Sequence, residues 1–162
     1  MADTLRLDID PPVHGWATVR LTAPGVALTV DASYTPRDSI ADLARAAALS
    51  LAGVPDQIVV WNTEPVEYEF RFVATAGRTR LEVYEFADGR RTQRGNEAPI
   101  AVIEGDTSAI SCAIWRGLRR LQGALPADEY ATTWRHPFPA TTVERLGIDL
   151  RARMAQRKAE PG

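Results

Sequence analysis

Apolar and polar residues alternate through residues 15–34, the period of a half-buried strand. Folding the two flanks about Pro24-Gly25 sets Leu21 opposite Leu28, Val19 opposite Val30 and Ala17 opposite Ala32. The other face then pairs Arg20 with Thr29 and Thr18 with Asp31. A slip of one residue would mix the two faces, so the pattern specifies a register. A second hairpin is predicted from residues 66–74 and 79–87 about Ala76-Gly77, with Phe72 facing Leu81, Phe70 facing Val83, and Arg71 facing Glu82 behind them. Phe86 falls on the polar face of that pair and calls for cover from a further edge element or the C-terminal segment.

Helical spacing takes over between the hairpins, where Ile40, Leu43, Ala47 and Leu51 recur on one face. Thr35 is the expected cap, with Pro36 at the first helical position, and Gly53 and Pro55 end the helix. Further strands are predicted over 57–62 and 99–104, and a helix over 107–123 capped by Asp106 or Thr107. Gly123, Pro126, Pro137 and Pro139 break up the connection that follows. A last helix over 141–157, capped by Thr141 or Thr142, carries Val143, Leu146, Leu150 and Met154 on one side. The expected fold is α+β, an antiparallel sheet of about five to six strands with two to three helices mainly on one face. The expected organisation is a single domain with a structured core over about 15–156 and short terminal tails.

The 162 residues are 45% hydrophobic and 25% charged, ordinary for a soluble globular chain. The net charge of −2 gives no overall attraction to nucleic acid or anionic lipid. It is unevenly spread: residues 1–70 hold ten acids and four bases, residues 71–162 eleven acids and fifteen bases. With one cysteine, Cys112, no intramolecular disulfide can form, and neither a signal peptide nor a membrane-length apolar run is visible. A reducing cytoplasm and no membrane partner are the expectations.

The chemistry-bearing motifs are few. One cysteine and two distant histidines, His14 and His136, argue against zinc, and there is no nucleophile elbow, P-loop or Rossmann fingerprint. No cofactor, metal or catalytic residue is therefore expected. In VWNTEPVEYEFRF, residues 60–72, alternation sends Tyr68, Phe70 and Phe72 to the core and Glu67 and Glu69 away from it. Glu64 there has no evident packing role. Arg116, Arg119 and Arg120 share a helix face, and Arg90, Arg91 and Arg94 share a polar loop expected to be mobile; either group suits phosphates or an acidic partner. Trp134 and Phe138 read as a clamp on one end of the core, or as an aromatic anchor for a partner.

The helix from Ser39 to Gly53, the break at Glu64-Pro65 and the closing W-x-x-PFP-x-x-x-x-E-x-L (Trp134, Pro137 to Pro139, Glu144 and Leu146) are similar to a group of small uncharacterised bacterial α+β proteins. Some of that group resemble immunity proteins of polymorphic toxin systems. The resemblance spans roughly residues 15–150, is structural, and carries over no active-site residues. It implies a non-enzymatic protein that acts through protein–protein contacts, neutralising a toxin in the most specific version. The partner-binding candidates are Glu64, Glu67, Glu69, Trp134, His136, Arg116, Arg119 and Arg120. Two alternatives stand beside this: a ligand-binding protein or enzyme with a pocket between sheet and helices, using His136 and a carboxylate, and an RNA-associated accessory protein using the arginine groups. Exposed edge strands also suit a homodimer.

Overall fold

The computed structural model describes residues 5–90 and 98–160. The seven strands among these residues form two antiparallel sheets instead of one. The first sheet holds β1 (Arg6–Ile9), β2 (Trp16–Ala23) and β3 (Val26–Ser33) in that order. The second holds β4 (Asp56–Asn62), β5 (Glu67–Thr75), β6 (Arg78–Phe86) and β7 (Ala101–Asp106). β3 and β4 touch without forming a ladder, because the chain leaves the first sheet through α1 (Ser39–Leu51) before starting the second. Helices α2 (Thr107–Ala124), α3 (Ala127–Trp134) and α4 (Ala140–Ala159) complete the described chain, four helices where two to three were expected.

Both hairpins have the register that their alternation dictates. Leu21 pairs with Leu28, Val19 with Val30 and Ala17 with Ala32. In the second sheet Phe72 pairs with Leu81, Phe70 with Val83 and Arg71 with Glu82. The apolar faces of the two sheets join the helices in one continuous core that includes Leu7, Val19, Val59, Trp61, Phe70, Leu81, Ile114 and Leu146.

Five expectations about single elements need correction. β1 lies in the supposed N-terminal tail; its four residues are too short a run for periodicity to register. α1 starts at Ser39 and is capped by Asp38, which accepts from the Ala41 amide (3.2 Å), while the Thr35–Pro36 peptide bond is cis. Thr35 therefore caps nothing. Residues 127–134 are helical where prolines suggested an irregular lead, because Pro126 and Pro137 flank a helix of one face, Tyr130 and Trp134, without interrupting it. α4 begins at Ala140 behind Pro139 with no side-chain cap, so neither Thr141 nor Thr142 serves as one. Met154, expected on its apolar side, is 53% exposed because α4 runs past the core after Leu150.

Small residues set the closest approaches. Ala44, Ala46 and Ala47 are buried on α1, and the Ser111 hydroxyl of α2 donates to the Ala47 carbonyl oxygen (3.2 Å). Gly117 of α2 lies against the backbone of β1, and Gly147 of α4 lies under the Trp115 ring, whose Nε1 donates to the Val143 carbonyl (3.1 Å).

At the β7–α2 junction Asp106 caps α2 through the Ala109 amide (3.1 Å) and pairs with Arg157 near the end of α4. Desolvation alone would raise its carboxyl; the Arg157 guanidinium and the helix amides outweigh it and hold the group below the usual range. Asp8, Asp10 and Glu82 are lowered in the same direction. A folded-state value below the unfolded one contributes stability that is complete above the unfolded value and lost as pH falls through the folded one. Urea midpoints are therefore expected to be flat above about pH 5 and to fall below about pH 4. Asp106→Asn should make that acid fall shallower; an unchanged profile would show that the junction carboxylate is not linked to folding.

Candidate functional site

Sequence candidates sort into three places, and the first is one end of the molecule. Three of them gather there on the connection Tyr34–Asp38 that leads from β3 into α1. Glu64 accepts from the Thr35 hydroxyl (3.3 Å), His136 donates from Nε2 to the Tyr34 carbonyl oxygen (3.0 Å), and Trp134 donates from Nε1 to Asp38 (2.9 Å). Each side chain holds a different residue of the same segment. Glu64 thus acquires the role it lacked: its amide donates to Asn62 (3.0 Å) and its carboxylate ties the β4–β5 turn to the connection. Trp134 is wholly buried, which makes it the clamp rather than an exposed anchor, and His136 is half-buried.

The backbone at this end is unusual. Among the described residues four non-glycines have left-handed φ, and three of them, His14 (51°), Glu64 (47°) and Arg135 (73°), lie here. The fourth, Ala76, sits in the β5–β6 turn. Gly15, at φ 82°, must be glycine twice over: a Cβ there would lie 2.6 Å from the Tyr34 ring. Its amide donates to Thr133 (2.7 Å) and its carbonyl accepts from Tyr34 (2.9 Å), which stitches β2, β3 and α3 together.

The second place is the outer face of the four-stranded sheet, which carries Glu67 and Glu69. Alternation puts both on that face, as expected, but Glu69 is completely buried and is no open acidic edge. It lies on a central strand between Val60 and Tyr84, and Arg71 folds back along the strand to meet it, Nε to Oε2 at 2.9 Å. The Arg71 guanidinium also sits 4.1 Å from the centre of the Tyr84 ring. Tyr84 donates to Glu82 (2.7 Å), and Arg80 bridges Glu82 and Glu104 (2.7 Å each). One polar network therefore crosses β5, β6 and β7. Glu82 is held below the usual carboxylate range by the Tyr84 hydroxyl and Arg80, and the Tyr84 phenol is raised by the same carboxylate. Glu67 stands beside Gly89, and Phe86 is buried with Tyr84 stacked near it (6.5 Å).

Apolar residues flank the network. Ile58 on β4 is 48% exposed and Val102 on β7 is 36% exposed, with Ile100 beside it at 51%. A shallow concavity of about 520 Å³ runs along the β4 side, lined by Asp56, Ile58, Arg71, Val73 and Glu82. Across this face, the described acids Asp56, Glu67, Glu69, Glu82 and Glu104 outnumber the bases Arg71, Arg78 and Arg80. Tyr84, Arg80 and Glu104 escaped sequence reading; their signal is the shared face of residues 78–86, visible only when the neighbouring strands are in register.

The third place splits the arginines of α2. Arg120 donates to Asp8 and to the Leu7 carbonyl (2.9 Å each), whereas Arg119 turns to Gln122 (2.7 Å). Arg116 is exposed. Of the polar-loop arginines, Arg90 is exposed, and Arg91 and Arg94 lie outside the described residues. Among the described residues no group of three or more His, Cys, Asp or Glu could hold a metal ion, and no helix is long and apolar enough to cross a membrane. Comparison with protein-family models, with curated proteins and with solved structures finds no match for this chain.

Proposed function

We propose that the chain is a non-enzymatic protein of the bacterial cytoplasm that works through protein–protein contacts, as an immunity-type protein covering a basic toxin surface. The docking face in this reading is the outer face of the four-stranded sheet. The observation that carries it is the combination found there: a charge network fixed by its own hydrogen bonds, an excess of carboxylates among the described residues, and exposed Ile58 and Val102 on either flank. Prefixed charges of one net sign speed docking and select an oppositely charged partner, while apolar residues supply the desolvated contacts. Glu64, on the turn that begins β5, extends the acidic surface toward the end of the molecule.

The test is isothermal titration of the whole chain against the product of the neighbouring gene. Saturable binding at micromolar concentrations or tighter is expected. Ile58→Arg and Glu104→Lys should each weaken it by at least about tenfold, because each places a positive charge against a basic partner. Both positions are exposed and the Glu104 pair with Arg80 is a surface ion pair, so each variant should cost no more than about 1 kcal/mol of stability. No heat with the unaltered chain, or full binding by both variants, overturns this reading.

A further inference from the structure

We propose that the groove between the start of β1, the β2–β3 turn and the middle of α2 binds a small oxyanion carried on an apolar group. The groove has a volume of about 420 Å³, within the range of small-molecule sites. Three guanidiniums line it, those of Arg6, Arg116 and Arg120. They come from different elements, β1 and α2, so no single helical or strand pattern reveals them together.

Two of the three are held in place. Asp8 presents one carboxylate oxygen to Arg6 Nε (2.6 Å) and the other to Arg120 Nε (2.9 Å). Arg120 is fixed a second time by the Leu7 carbonyl oxygen (2.9 Å). One carboxylate thus serves two guanidiniums, and the pair keeps a net positive charge. Arg116 adds another, since among the described residues it has no ion pair or side-chain hydrogen bond. Each guanidinium has five N–H donors, and the contacts to Asp8 and Leu7 leave several on Arg6 and Arg120 unused. Planar forks of this kind match the paired oxygens of a phosphate or carboxylate, and holding them beforehand lowers the ordering cost of binding.

Leu5, Ala23, Pro24 and Ala113, with Thr22, supply the rest of the described lining. They offer a place for a short aliphatic chain or one ring next to the anion. Among the described residues no aromatic side chain lines the groove, so a nucleic-acid strand would find phosphate contacts but no platform for its bases. Arg119, on the same helix, faces a different depression with Trp115 and Glu144 and takes no part.

The test uses the full chain and three probes: inorganic phosphate, phenyl phosphate and benzoate, titrated by calorimetry. Phenyl phosphate or benzoate is expected to saturate, and phenyl phosphate to bind more tightly than inorganic phosphate; which ring-bearing probe wins identifies the anion as phosphate or carboxylate. Arg116→Gln should weaken binding by at least about tenfold, the worth of a charge-assisted hydrogen bond, without altering the melting temperature. Arg119→Gln should leave binding unchanged. The proposal is overturned if no probe saturates at millimolar concentration, if inorganic phosphate binds as tightly as the better of the two ring-bearing probes, or if Arg116→Gln binds as the unaltered chain does. It is also overturned if a single-stranded oligonucleotide binds through Arg116 with a steep salt dependence while the small probes do not.

Discussion

Trp134→Ala is expected to lower the free energy of unfolding by about 4 kcal/mol, the cost of removing a large buried aromatic side chain. The ring is completely buried, and its Nε1 donates to the same Asp38 oxygen that caps α1. Its loss therefore empties the end of the core and removes one of two donors from the helix cap. A domain of this size has a stability of roughly 5–15 kcal/mol, so the variant sits near the limit of folding. Trp134→Phe separates the two contributions: it keeps most of the packing and gives up the hydrogen bond, at about 1–2 kcal/mol. Urea unfolding of both variants, with unchanged slopes, measures the difference. A cost for Trp134→Ala below about 1 kcal/mol would remove the clamp role.

Two glycines on the same helix should respond in opposite directions. In α2, Gly123→Ala meets no atom within 4 Å and is expected to stabilise the protein by up to about 1 kcal/mol, the helix-propensity gain. Gly117→Ala earns the same propensity gain but sets a methyl group against the Leu7 carbonyl oxygen, well inside van der Waals contact, and 2.9 Å from Leu7 Cδ2. Because the obstacle is backbone, α2 must lift away from β1, and an overpacking cost of about 1–3 kcal/mol or more outweighs the gain. Thermal melts of the two variants side by side give the sign directly. If Gly117→Ala is as stabilising as Gly123→Ala, α2 does not ride on the backbone of β1.

The hairpins were the most legible part of the fold because their information is local. Leu21 and Leu28, or Phe72 and Leu81, are chosen by a period of two and a turn between them, and no distant residue can shift that register. The division into two sheets was not legible, since the gap between β3 and β4 depends on how α1 is inserted and leaves no mark in either strand. Asp38 was visible as a residue near the start of α1, but the hydrogen bond that Trp134 donates to this cap, from nearly a hundred positions away, is not encoded locally. The site followed the same rule. Glu69 was assigned to the correct face from alternation, yet it is completely buried and paired with Arg71, a tertiary outcome that alternation does not encode. Arg6 and Arg116 meet only because β1 packs on α2, which alternation and helical spacing do not encode.

That α4 follows in sequence every element it packs on has a consequence for how the protein is made. Every strand pairs with a neighbour in sequence, so both sheets can assemble as the polypeptide leaves the ribosome. The helical layer cannot, because Val143, Leu146 and Leu150 fill the core from α4, and Gly147 seats the Trp115 ring. Without α4, α1 and α2 would present uncovered apolar surface, the kind that makes unfinished chains prone to aggregate. Arg153 and Arg157, which bind the Leu51 carbonyl and Asp106, then act as a latch that can fasten only after α1 and the β7–α2 junction, both earlier in the chain, have been translated.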